Sequence, residues 1–147
     1  MVAQKLISLI ERHSTELGQG LKRKFLSQEK MSDMRRVPAE ELDQRSVEIY
    51  RNLNDWLLTK TEGQIERRYR EIGARRAEQG VSLSHLLWAI LAVKQHLWEF
   101  LNREAMVDQI VDLLQEVELM QMVDRFFDHA VYYAACGFEG ARSSRAA

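Results

Sequence analysis

A single proline, Pro38, stands in 147 residues, and nearly all of the seven glycines lie at the ends of apolar-periodic segments. Between them, apolar residues recur at three- and four-residue spacings, with no strand-like alternation bounded by turn residues. A chain so rarely punctuated offers few sites for hairpins, so the expected fold is all-α, a bundle of about five helices with a long C-terminal helix. The length corresponds to one domain, expected over 1–139, followed by a small, polar, flexible tail over 140–147.

The stripe of Val2, Leu6, Leu9 or Ile10, His13 and Leu17 predicts a first helix over 2–17 that stops at Gly18 and Gly20. From Gly20 to Val37 the chain turns basic, with a net charge of +4, and Phe25, Leu26, Met31 and Met34 are the side chains expected to anchor it. Pro38 suits a first helical position, and Glu40, Glu41 and Asp43 suit the positive end of a helix dipole. That second helix runs to about Thr59. Thr61 with Gln64 forms a capping-box pattern opening a third, which Gly80 closes. Ser82 is placed to cap a fourth over about 83–103, and a fifth runs from Glu104 or Ala105 to Cys136. In the fifth, Met106, Ile110, Leu113 and Val117 form one apolar face, and Leu119, Met122, Val123, Phe126, Ala130 and Tyr133 another. Two surfaces must cover them, for which the domain's own core and a second subunit are the candidates.

With 21 basic against 22 acidic residues, the chain lacks the basic excess of a dedicated nucleic-acid binder. Basic runs at Lys22–Lys24 and Arg67–Arg76 read better as solvated faces, since Glu66, Glu71 and Glu78 interleave with the second. The most apolar run, Leu83–Val93, is too short and too polar to span a bilayer, and no secretory signal is legible at the N-terminus. One cysteine, Cys136, and no need of a disulfide staple fit a reducing, cytoplasmic setting.

No catalytic constellation is present: there is no nucleophile elbow, no phosphate loop and no base beside Cys136. Four histidines, His13, His85, His96 and His129, are the candidate imidazole ligands. None has a glutamate three residues before it, which argues against a di-iron bundle. His85 and His96 lie about 16 Å apart along one helix, too far to share a metal. No metal or cofactor is expected, although a single histidine is enough for a haem.

Two features stand out for their misplaced polarity. Arg76 falls on the stripe of Ile65, Tyr69 and Ile72, and Asp124 continues the stripe of Met106, Ile110, Leu113 and Val117. A buried or half-buried Arg76–Asp124 ion pair would resolve both; the alternative is an Arg76 that snorkels beside Gly80. On the fourth helix, Ser84, Gln95, Glu99 and Asn102 make the polar face, yet Trp88 falls between Gln95 and Glu99, with Leu91 and Trp98 beside it. Trp88, Leu91, Gln95 and Trp98 therefore form either a contact surface or a face covered by the first and fifth helices.

The stretch Arg75-Arg-Ala-Glu-Gln-Gly-Val-Ser-Leu-Ser-His-Leu-Leu-Trp88, with Gln95-His-Leu-Trp-Glu-Phe-Leu101, resembles the N-terminal domain of RsbRD-type RsbT co-antagonists. Such modules also occur ahead of bacterial signalling histidine kinases. Phe126-Phe-Asp-His-Ala-Val-Tyr-Tyr133 and Gly137-Phe-Glu139 are similar to the end of that domain. The resemblance spans about Ile7 to Glu139 and touches Arg76, Gly80, Trp88, Tyr132 and Tyr133. It implies a non-catalytic signal-input module of a stress or two-component system, globin-like or a related bundle. It also implies a homodimer that signals through its last helix to an output domain or downstream protein. Beside this stand a haem-binding globin-like sensor and a ligand-free adaptor.

Overall fold

A computed structural model describes residues 3–104 and 110–146. Val2, Ala105 and Met106 therefore lie outside the described residues, as does Ala147. The described chain is helical throughout, in the order α1 (Gln4–Arg12), α2 (Ser14–Ser27), a 3-10 segment (Glu29–Arg36), α3 (Ala39–Arg51), a π turn (Asp55–Thr59), α4 (Glu62–Glu78), α5 (Leu83–Glu104) and α6 (Ile110–Ala146). No strand occurs among these residues.

The expected first helix is divided in two. His13 leaves helical geometry at φ −104°, ψ 17°, with its ring Nδ1 2.9 Å from the Leu9 carbonyl and its imidazole on Phe100. Nor does the chain stop at Gly18 and Gly20. Helix α2 runs through both, because these glycines serve close packing: a Cβ at Gly18 would lie 2.9 Å from that of Val47, and one at Gly20 would lie 2.9 Å from the His96 ring. The break comes at Gln28, which is extended. Phe25, Met31 and Met34 then anchor the basic segment, while Leu26 points outward at 40% exposure.

Helix α3 opens after Pro38 and bends at Asn52, whose side-chain amide donates to the Glu48 carbonyl; the π turn carries the path to Thr59. The capping box at Thr61 and Gln64 is formed, each residue bonding the other's backbone N–H. Gly80, with φ +81°, ends α4: its N–H bonds the Ala77 carbonyl and that of Val81 bonds Arg76.

Helix α6 runs ten residues past Cys136 and packs most closely on α4. Its buried side chains include Leu119, Val123, Phe126, Phe127, Ala130, Ala134 and Phe138. The α4–α6 crossing is backbone on backbone. A Cβ at Gly73 would overlap the Ala134 carbonyl, and one at Gly137 would overlap that of Arg70. Beside it, Tyr69, Phe126 and Trp56 form an aromatic cluster with ring centroids 5.6–6.2 Å apart. Helix α5 lies against the 3-10 segment, α6 and α2, and its Val93 carbonyl accepts a 2.8 Å bond from buried Tyr50.

Candidate functional site

The buried arginine expected on α4 is present, but its partner is different. Arg76 is 3% exposed and donates to Glu41 and, at 2.9 Å, to Gln79. Glu41 also accepts from Arg75 at 2.6 Å and from the Gln79 amide at 3.0 Å. Asp124, 53% exposed, lies instead 3.6 Å from Lys94. The Arg76–Asp124 pair is therefore replaced by two others, because α3 brings its first turn to the end of α4 whereas Asp124 faces α5. Burial opposes ionisation of Glu41, but hydrogen bonds from Gln79, Arg75 and Arg76 prevail and hold its pKa at about 2. At the sequence level Glu41 had only a helix-dipole role; no local signal pairs it with a residue 35 positions away.

On α5, Trp88, Leu91 and Trp98 are half-buried and Gln95 is exposed. Lys30 lies over the Trp88 ring, 4.7 Å from its centroid, so part of this face is covered from the 3-10 segment. Neighbouring α6 carries an apolar strip that the fold leaves open: Leu113 (50%), Leu114 (58%), Val117 (41%) and Met120 (45%) are all exposed. Leu113 and Val117 belong to the first of the two faces read from the sequence, and Leu114 and Met120 extend it. Leu119, Val123, Phe126 and Ala130 of the second face are buried in the domain's own core.

Each histidine is engaged locally. His96 is 7% exposed, and its Nε2 lies 3.0 Å from the Leu17 carbonyl, while its buried Nδ1 has no hydrogen-bond partner. Burial lowers its pKa, which favours the neutral ring with the proton on Nε2. His85 Nδ1 accepts from the Asp33 N–H at 3.0 Å, and His129 lies between Glu62, 3.4 Å away, and the Tyr133 ring. The arginine runs are similarly occupied, with Arg68 on Glu48 and Arg70 on Glu66. Among the described residues no cluster of histidine, cysteine and carboxylate side chains is placed to hold a metal, and no helix is long and apolar enough to cross a membrane.

Among the described residues, the bundle pairs Arg76 with Glu41 inside and leaves one apolar strip open on α6. The chain belongs to the RsbT co-antagonist protein RsbRD N-terminal domain family, which it matches over residues 16–147. This is a family of stress-signalling regulatory domains. No curated protein and no solved structure matches the chain.

Proposed function

We propose that this chain is the non-catalytic signal-input domain of a bacterial stress or two-component pathway, working in the cytoplasm as a homodimer through the α5–α6 face. The observation that carries this reading is the open strip on α6. Leu113, Val117, Met120 and Asp124 follow one another at spacings of four, three and four, which is one face of a helix. The Lys94–Asp124 contact ties that face to α5. Since consecutive α5 and α6 run antiparallel, Trp98, one turn beyond Lys94, comes level with Met120, one turn before Asp124. Leu91 and Trp98 thus continue the strip on the neighbouring helix.

An apolar strip that ends at the Lys94–Asp124 pair can meet a copy of itself across a two-fold axis. Two α5–α6 hairpins then close a four-helix bundle. A signal reaching the bundle alters the packing of α6 against its mate and passes along that helix to an output domain or a separate protein, in keeping with the RsbT co-antagonist role that names the family.

Sedimentation of the wild type beside Val117→Glu and Met120→Glu tests this. The expected result is a wild-type dimer at tens of micromolar and monomeric variants of unchanged helical circular dichroism, because both side chains are exposed in the single chain. A monomeric wild type, or variants that still dimerise, would refute the interface.

A further inference from the structure

Helices α2 to α6 do not fill the space between them. A cavity of about 70 Å³ remains, walled by Leu42, Ile49, Ala89, Ile90 and Phe127 and bordered on its polar side by Arg45, Glu48 and Arg76. Arg45 and Glu48 also line a surface depression of about 370 Å³ on α3. The same two side chains therefore stand at the rim of both spaces.

This rim carries a surplus guanidinium. Arg68 Nη2 donates to both Glu48 oxygens, at 3.1 and 3.2 Å, and Arg45 Nη1 donates to one of them at 3.1 Å. Arg45 can turn away while Glu48 stays doubly bonded to Arg68. Glu71, the other carboxylate near Arg68, lies 3.9 Å away and is largely exposed, so it is well screened by water. Arg76, on the opposite wall, is already held by Glu41. Burial raises the pKa of Glu48 in spite of these arginines, so an added anion is held here only where a guanidinium meets it, and Arg45 is the side chain free to do so.

Size limits what can accompany that charge. At roughly 30 Å³ for a group of water or methylene size, the apolar part holds two or three such groups. A porphyrin is far outside this range, and none of the four histidines lines the space. We propose that this cavity is the ligand site of the input domain and takes a short-chain monocarboxylate. Its carboxylate pairs with Arg45, and its tail of two or three carbons lies against Ala89 and Ile90. The biological meaning rests on the reading of the chain as an input domain; the binding itself does not require the dimer.

The test is titration of the whole chain with propionate and with butyrate, followed by calorimetry and by amide chemical shifts at Ala89 and Ile90, with octanoate and chloride at matched ionic strength as controls. Saturable binding in about the millimolar range is the expected result, the scale set by so few heavy atoms. Arg45→Gln should weaken it by about tenfold or more, and Ala89→Val, which fills the tail space, should abolish it. Octanoate and chloride should leave the Ala89 and Ile90 amides unmoved. Absence of propionate binding, an equal response from Arg45→Gln, or octanoate binding as tightly as propionate would overturn the proposal. Should Ala89→Val fail to fold, the Arg45→Gln comparison and the chain-length series still decide. Propionate binding to a wild type that proves monomeric would leave the site standing and the dimer refuted; a dimer that ignores propionate would do the reverse.

Discussion

Glu41 is the residue on which the buried charge at the end of α4 depends. It neutralises Arg76, which would otherwise be a cation at 3% exposure, and it does so from a side chain that is itself only 15% exposed. Removing one partner leaves the other unpaired, so Arg76→Ala or Glu41→Ala should cost about 3–5 kcal/mol. In a domain of this size that is a fall of roughly 10 °C in Tm. Asp124→Ala, which removes only a partly exposed contact with Lys94, should stay within about 0.5 kcal/mol of the wild type. Thermal melts of the three variants check the pairing directly. The same geometry sets an acid limit. Because the folded-state pKa of Glu41 is about 2 and its ordinary value is 4.5, the folded chain binds fewer protons than the unfolded chain between those values. The stabilisation is complete above about pH 4.5 and is lost as the pH falls toward 2, an amount on the order of 2–3 kcal/mol. Urea titrations over that range should show Glu41→Gln with a flatter dependence of stability on pH than the wild type.

Among the elements, α4 and α6 are the pair held at the closest distance, and two glycines set it. Neither Gly73 nor Gly137 has an unusual φ; each is needed because the facing backbone occupies the volume of a Cβ. Gly73→Ala and Gly137→Ala should therefore each force the helices apart and cost at least about 1–3 kcal/mol, with strained packing around Ala134 and Arg70. Gly140, with nothing within 4 Å of an added Cβ, is the control: Gly140→Ala should be neutral or slightly stabilising through helix propensity. Chemical denaturation of the three variants tests this, and equal stability of all three would refute the crossing. Stripe spacing, the Thr61 capping box and Gly80 made α4 legible along the chain. The meeting of Gly73 with Ala134 was not, because glycine in a helix gives the same local signal whether it is packed or solvated.

For the molecule as a whole, the proposed dimer makes stability depend on concentration. If the α5–α6 face closes on itself, Tm should rise as the protein is raised from micromolar to hundreds of micromolar, and Val117→Glu should remove that dependence. The drift of the apolar stripe along α6 anticipated this two-sided demand. One face, Leu119 to Ala130, enters the core, and the other, at Leu113 and Val117, stays open. Trp88, Leu91 and Trp98 are intermediate between the two, half-covered by their own chain.

Helical class, the caps at Thr61 and Gly80 and the long last helix were determined by the sequence alone, because each follows from periodicity or from bonds that span a few residues; the misplaced polarity of Arg76 was legible there too, but not whether it is buried. Family membership was also legible, in the Arg75–Trp88 and Phe126–Tyr133 stretches. The continuation of α2 through its glycines, the choice of Glu41 over Asp124 and the placing of Arg45 and Glu48 at the rim of the central cavity were decided by the tertiary structure. A charged side chain on a helix carries no local mark of which distant helix will face it. Its partner is set by how the helices cross, and here that crossing is fixed by backbone contact at Gly73 and Gly137.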